Sequence, residues 1–381
     1  MTVVESTAEA PAYEGALEKV IADVIAPAAA EVDAAASFPR AGIDALARAG
    51  LLGLISAQEV GGAGQGIRAA TMAVERVAEA CASTAMVLCM HYAATAVIEA
   101  HGPRETRESI AAGRHLSTLA FSEASSRSMF WAPTSTATAT DGGVRLDARK
   151  SWVTSAGEAD SYVWSSKPMA SEEASTLWLV PADASGLHIT APFNGLGLRG
   201  NSSSPITAEG VVVPQTAILG PDGGGFEIMM GVVLPHFQLM NAAGSLGTME
   251  AATAKTAAHA GKTSFENLGT TLADLPTIRA YIARMRVKTD QVRGLLLDTL
   301  NAIESGRADT MLRVLEVKAS AGETAVEVTD LAMRVCGGAA FRKEVGVERN
   351  FRDARAATVM APTTDALYDF IGKAVCGLPL F

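Results

Sequence analysis

The sequence predicts an α+β protein with an N-terminal helical domain at residues 1–115, a central antiparallel β domain at residues 116–225 and a C-terminal four-helix bundle at residues 226–381. Two changes of pattern predict this order. Alanine-rich sequence with helical spacing gives way near residue 116 to short apolar runs separated by turn residues, and long amphipathic stretches return after residue 225. A chain of 381 residues is long enough to bury a sizeable core in such an arrangement.

Composition narrows the class of protein. The 31 basic and 41 acidic residues give a net charge of −10, which disfavours nucleic acid or an anionic membrane as the main partner. The N-terminus lacks a basic segment followed by an apolar one, and no apolar run approaches the roughly 20 residues of a spanning helix. The four cysteines show no metal-binding spacing. We therefore expect a cytoplasmic protein with no signal peptide, membrane span or metal.

The N-terminal domain is predicted to be helical over residues 13–113. Its glycine-rich stretch, residues 61–64, follows no strand and lacks the spacing of a nucleotide-binding loop, so it is interpreted as a turn. The helical run 83–102 carries His91 among apolar residues. An isolated histidine in such a setting is more often a core residue, but it could also exchange protons near neutral pH.

The central domain is predicted from five short apolar runs. They lie at residues 116–121, 144–148, 162–166, 176–181 and 206–213, with glycine, proline and aspartate clusters between them. Residues that could contact a ligand follow the first two runs. Trp152 and Thr154 supply a flat indole and a hydroxyl two residues apart.

The C-terminal domain is predicted from helical periodicity over residues 228–260, 272–305 and 309–335. Gly337 and Gly338 follow the third of these helices. Two adjacent glycines there are interpreted either as a helix C-cap or as a backbone cradle for a phosphate or a flavin edge. A run of alternating charge then leads to Ala361, Pro362 and a Thr-Thr-Asp cluster at a predicted helix start.

These segments together resemble the acyl-CoA dehydrogenase family. The resemblance is carried by residues 333–367, by Lys-Ser-Trp-Val-Thr-Ser from Lys150, and by Phe-Ser-Glu-Ala-Ser-Ser from Phe121, and it extends along nearly the whole chain. It implies that FAD is the cofactor. The implied FAD-binding residues are Phe121, Ser122, Trp152, Thr154, Arg334, Gly337, Gly338, Thr363 and Asp365.

The resemblance also implies partners. By position, Ser128, Arg127 and Gln238 would face the substrate, an acyl-CoA or a carrier-bound acyl thioester. The electron partner would be an electron-transfer flavoprotein or a flavin reductase. Because members of the family complete each flavin site with residues of a neighbouring subunit, and the C-terminal helices have wide apolar faces, we expect a homodimer or homotetramer.

The main departure from the family pattern is at the catalytic base. Typical members have Glu-Gly where this chain has Ala361 and Pro362, and isovaleryl-type members have a glutamate where this chain has Phe237. An alanine methyl group cannot remove a proton. A relocated base would come from His91, His236, Glu123 or Asp365.

Three functions remain open on this basis. The first is flavin-dependent α,β-dehydrogenation of an acyl thioester with a non-standard or relocated base. The second is a base-free flavoenzyme of the same fold, such as a two-component flavin monooxygenase or a sulfinate-releasing acyl-CoA enzyme. The third is a catalytically silent subunit of a hetero-oligomer.

Overall fold

The computed structural model describes residues 12–126 and 129–380 of the chain. The N-terminal domain is helical, as predicted. Its helices are α1 Ala12–Val20, α2 Ala26–Ala35, α3 Arg40–Arg48, α4 Ile67–Ala80, α5 Ala82–His101 and α6 Arg104–Ala111. Five residues of π-helix, Ile21–Ile25, join α1 to α2.

Helix α5 is the central element of this domain. Contrary to the expectation that no apolar run approaches the length of a spanning helix, α5 is apolar on nearly all sides and long enough to cross a membrane by length and composition. However, 72% of its most apolar window is buried inside the protein. Leu88, Ala94 and Ile98 are completely buried in it. A helix that is apolar all round and covered by other elements is the core helix of a large domain.

The central domain consists of two four-stranded sheets. Its strands are β1 Ser117–Ala120, β2 Thr136–Thr140, β3 Gly143–Val153, β4 Ser161–Ser166, β5 Thr176–Pro181, β6 Leu187–Ile189, β7 Ser204–Val213 and β8 Ile218–Leu219. One sheet has the order β1-β4-β5-β8 and the other β2-β3-β7-β6. The predicted antiparallel pairing holds except between β1 and β4, which run parallel.

The C-terminal domain returns to helices. After the short α7 Gly225–Ile228 and a π-helical turn, its elements are α8 Leu234–Lys262, β9 Ser264–Phe265, β10 Thr270–Thr271, α9 Pro276–Ser305, α10 Thr310–Cys336, α11 Val347–Val359 and α12 Thr364–Val375. The buried side of α10 packs on α8, α9, α11 and α12. The predicted order of helices, strands and helices is therefore confirmed.

The three domains are joined by ion pairs and packing that place α11 beside the β domain. Arg352 on α11 donates both terminal nitrogens to the Asp33 carboxylate, at 2.8 and 2.5 Å, and its Nε to Glu348 at 2.6 Å. The Arg352 side chain also reaches the Leu196 carbonyl of the loop after β6. These contacts fix α11 against both α2 and that loop.

Candidate functional site

A cavity of about 960 Å³ lies where the three domains meet. Its walls come from α5, the end of β1, the end of β3, the loop at residues 193–203, the start of α8 and the C-terminal half of α11. Such volumes suit cofactors and other small ligands. Most of the wall is apolar, with Met86, Met90 and Phe130 among its side chains.

Four of the residues expected to bind FAD come together in this wall. Phe121 and Ser122 follow β1, while Trp152 and Thr154 lie at the end of β3. The two segments are joined because the Ser151 amide donates a hydrogen bond of 2.9 Å to the Ser122 carbonyl. This hydrogen bond and an isolated β-bridge between Glu123 and Lys150 bring the two segments to one side of the cavity.

Trp152 has an unusual conformation. Its φ is 58°, in the left-handed region, and its side chain is 69% exposed beside the Phe193 ring, at 6.4 Å between centroids. A tryptophan in that backbone region is strained, and such strain concentrates at functional sites. The exposed indole offers an aromatic face to a planar ligand in the cavity.

A buried ion pair lies behind these segments. The Lys150 ammonium is 2.6 Å from the Glu123 carboxylate and also donates to the Ser165 carbonyl and hydroxyl, at 2.8 and 2.9 Å. Both side chains are almost completely buried. Burial lowers the pKa of Lys150 to about 8. For Glu123, burial would raise the pKa, but Lys150 and hydroxyl donors outweigh it and bring the pKa to about 2. The pair is therefore ionised at neutral pH.

The cavity wall includes both positions at which the sequence resemblance led us to expect a glutamate. Ala361 and Phe237 both line it. Glu123 is the one acidic residue among the described wall residues, and none of these is histidine. The Glu123 carboxylate is occupied by Lys150 and by hydrogen bonds from Thr134 and Ser135. It is thus poorly placed to serve as the relocated base.

The two histidines considered as candidate bases do not line the cavity. His91 is completely buried and does not line the cavity, since its Nε2 bonds the Leu52 carbonyl at 3.0 Å and its Nδ1 accepts from the Ser117 amide at 3.2 Å. Burial lowers the pKa of His91 to about 4. His236 bonds the Val232 carbonyl through Nδ1, and burial lowers its pKa too. Neither histidine has the position required of a base in the cavity.

The remaining expected FAD contacts lie outside the cavity of their own chain. Arg334 is exposed near the end of α10, with its guanidinium 5.2 Å from the Tyr281 ring centre. Gly337 and Gly338 are exposed beside it, with open space where a Cβ would point. Thr363 caps α12 by accepting from the Ala366 amide, and Asp365 is exposed in the first turn. None of these residues lines the cavity of its own chain, and their contact with FAD remains a prediction.

Of the expected substrate contacts, Gln238 is completely buried and does not line the cavity. Neither atom of its side-chain amide has a hydrogen-bond partner. The expectations for Arg127 and Ser128 fall outside the described residues.

Sequence reasoning missed the residue that holds Ala361 in place. The Lys318 ammonium on α10 donates to the carbonyls of Ala357, Met360 and Pro362, at 3.1, 3.0 and 2.8 Å. Its side chain is completely buried, and burial lowers its pKa to about 7. Two of these carbonyls flank Ala361, so Lys318 fixes the backbone that faces the cavity. A lysine on the buried side of a predicted amphipathic helix was the available signal.

Comparison with known protein families assigns nearly the whole length of the chain. Three family models match it: "Acyl-CoA dehydrogenase, N-terminal domain" at residues 7–113, "middle domain" at residues 118–211 and "C-terminal domain" at residues 223–376. Among curated relatives, human short-chain specific acyl-CoA dehydrogenase is 28% identical, with 89% of this chain and 83% of the relative covered. Cyclohex-1-ene-1-carbonyl-CoA dehydrogenase of Geobacter metallireducens is 26% identical, with 92% and 93% covered.

Solved structures show the same fold. Butyryl-CoA dehydrogenase from Megasphaera elsdenii superposes with a TM-score of 0.89 at 22% identity, over 96% of this chain and 97% of that chain. PigA with FAD and proline superposes with a TM-score of 0.89 at 19% identity, over 99% of both chains.

Proposed function

The chain belongs to the acyl-CoA dehydrogenase family, and we propose that it is a flavoenzyme acting on an acyl thioester without a side-chain carboxylate as base. An oxidoreductase of acyl-CoA dehydrogenase type with FAD as cofactor follows from the family. The proposal goes beyond the family assignment in stating that the enzyme lacks a carboxylate base. It rests on one observation, the composition of the described cavity wall.

That wall provides no free proton acceptor of the usual kind. Ala361 and Phe237 occupy the two positions where the family pattern has its glutamate, and the remaining carboxylate, Glu123, is engaged by Lys150. A general base must come within about 2.6–3.2 Å of the proton it removes, directly or through one water. Relocation to Glu123 would require breaking the buried ion pair. The geometry therefore favours a base-free flavoenzyme over dehydrogenation with a relocated base.

The cavity suits FAD. The exposed Trp152 indole would offer its face to the isoalloxazine ring, and Ser122 and Thr154, which line the same cavity, would supply hydroxyls to it. The apolar wall around Met86, Met90 and Phe237 would exclude water from the reacting centre. When bound, FAD supplies the two-electron redox chemistry. Arg355 lines the opening as an exposed cation and could contact a phosphate.

The experiment uses the purified holoenzyme without oxygen. Butyryl-, isovaleryl- and octanoyl-CoA are each added while the flavin spectrum is recorded. The proposal expects a shift of the flavin bands, showing that the thioester binds, without the rapid bleaching that marks dehydrogenation. Rapid bleaching would establish a relocated base. An unshifted spectrum with every thioester would contradict the thioester assignment.

A second stage identifies the alternative chemistry. NADH and a flavin reductase are supplied with oxygen, and oxygen consumption is measured with and without each thioester. Thioester-dependent consumption would favour a two-component monooxygenase. A chain purified without flavin, but together with a related subunit, would instead favour the silent-subunit hypothesis.

The enzyme is further inferred to act as a homodimer or homotetramer. Arg334, Gly337 and Gly338 lie outside the cavity of their own chain, where they could complete the flavin site of a neighbour. Large apolar side chains are exposed near them and on α9 and α12; these are Val287, Leu297, Phe341, Tyr368 and Val375. Covering such side chains favours association. An electron-transfer flavoprotein or a flavin reductase remains the inferred electron partner.

A reducing compartment, such as the cytoplasm, is consistent with the cysteines. Cys81, Cys89 and Cys336 are buried free thiols, and Cys376 is an exposed free thiol. Disulfides are rare where thiols are kept reduced.

A further inference from the structure

A second, much smaller chamber lies behind the main cavity. Its volume is about 30 Å³, and its walls come from α4, α5, α8 and α11. Met86, Leu198 and Ala356 line both spaces, so these side chains form the partition. The chamber therefore adjoins the main cavity.

The chamber has a polar group with no partner. Asn241 is 3% exposed; its Nδ2 donates to the Met360 sulfur at 3.3 Å, while its Oδ1 has no hydrogen-bond donor. Met360 itself lines the main cavity. Native proteins rarely leave a buried side-chain oxygen unpaired, so such an atom calls for a ligand or a bound water.

Of the other polar side chains that line the chamber, Asp353 and Thr248 have no free donor, and Ser245 carries a hydroxyl. Asp353 lines the chamber and accepts from the Leu198 amide at 2.7 Å through Oδ1. Burial raises the pKa of Asp353 to about 6. The Thr248 hydroxyl already donates to the Gly244 carbonyl. A chamber of this size holds one water molecule or one hydroxyl group. The group that would complement the unpaired Asn241 oxygen in this chamber is a small hydrogen-bond donor.

We propose that this chamber is a subsite for a hydroxyl group carried by the acyl chain of the substrate. The inference rests on the proposed thioester function. The hydroxyl would donate to Asn241 Oδ1 after the Met86 and Met360 side chains have moved aside. Methionine side chains are unbranched and adjust readily to a ligand. The preferred substrate class is thus a hydroxyacyl thioester.

The test measures binding to the holoenzyme without oxygen, by calorimetry and by the shift of the flavin bands. Two matched pairs of ligands are used, 3-hydroxybutyryl-CoA with butyryl-CoA and 6-hydroxyhexanoyl-CoA with hexanoyl-CoA. In the wild type, at least one hydroxyacyl ligand should bind about tenfold or more tightly than its partner, because the unpaired oxygen gains a donor.

Substitutions at Asn241 test whether this residue causes the preference for a hydroxyacyl ligand. Asn241→Leu, of similar shape, should abolish it, and Asn241→Ser should restore part of it. Thr253→Val is the control, since Thr253 is a buried and unpaired hydroxyl on the same helix that lines neither space. It should keep the wild-type preference.

Three results would overturn the subsite. Equal affinity within both pairs would show that the chamber holds only water. A preference that survives in Asn241→Leu would place the hydroxyl elsewhere. Failure of all four thioesters to bind would overturn the proposed function as well, which distinguishes that outcome from the first two.

Discussion

Replacing Lys150 with methionine tests whether the buried ion pair holds the flavin-binding segments together. The substitution removes the ammonium that contacts Glu123 and Ser165 and leaves the Glu123 carboxylate buried without a cation. Breaking a buried pair in this way costs about 3–5 kcal/mol. Lys150→Met should therefore destabilise the protein strongly. It should also reduce its flavin content, since Ser151 and Trp152 follow directly.

The double variant isolates the interaction. In Glu123→Gln/Lys150→Met both charges are absent, and replacing a buried pair by neutral groups is often nearly neutral in free energy. We expect a coupling free energy of about 2–3 kcal/mol between the two positions. Urea unfolding of the flavin-free proteins, monitored by tryptophan fluorescence, gives the unfolding midpoint of each variant. Trp164 lies 5.2 Å from the Lys150 ammonium and is a local reporter.

A matched control removes a lysine from the surface. Lys19 pairs with Asp23 in the open, so Lys19→Met should leave the unfolding midpoint unchanged. If the single-variant losses at Glu123 and Lys150 simply added in the double variant, the pair would not be coupled and the reasoning would fail.

Further predictions concern cofactor, assembly and pH. Trp152→Ala should lose most of its flavin because the exposed indole is removed, and stoichiometric flavin with an unchanged spectrum would show that Trp152 does not cover the ring. Analytical ultracentrifugation should give a dimer or tetramer, and a stable flavin-bound monomer would contradict the shared site. The pKa of Glu123 is lowered from 4.5 to about 2 on folding, so its contribution to stability is complete above pH 4.5 and is lost as the pH falls through 2. The unfolding midpoint of Glu123→Gln should therefore vary less over this range than that of the wild type.

The fold could be predicted because the periodicity that indicates its helices lies within single stretches of the sequence. Helical periodicity over residues 272–305 and 309–335 corresponds closely to α9 Pro276–Ser305 and α10 Thr310–Cys336. The short strands β2 and β6 were not predicted, since five and three residues carry little periodicity. The parallel pairing of β1 with β4 depends on tertiary structure and also has no local signal.

The site was predictable only in part. Phe121, Ser122, Trp152 and Thr154 line one cavity, as the motifs indicated, although their contacts with FAD remain a prediction. His91 could not be judged from sequence, because the Leu52 carbonyl and the Ser117 amide that occupy its ring are 39 and 26 residues away.

Buried polar residues on helices were the part of the site that the sequence predicted least well. Lys318 and Asn241 follow the periodicity of their helices, yet each is defined by contacts with residues on or directly after α11. Lys318 reaches Pro362, 44 positions along the chain, and Asn241 reaches Met360, 119 positions along it. Helical periodicity identifies the buried face but not the partner that lies opposite.

The central claim is that the missing carboxylate determines the reaction, and Ala361→Glu/Pro362→Gly tests it most directly. The glycine frees the backbone that proline restricts. Ala361→Gln/Pro362→Gly is the control, with the same shape and no base. Flavin bleaching by acyl-CoAs is measured without oxygen. We expect slow bleaching in the wild type and the control, and bleaching about 10²-fold faster or more in the glutamate variant. Rapid bleaching of the wild type would contradict the claim, because it would show a working base in the native cavity.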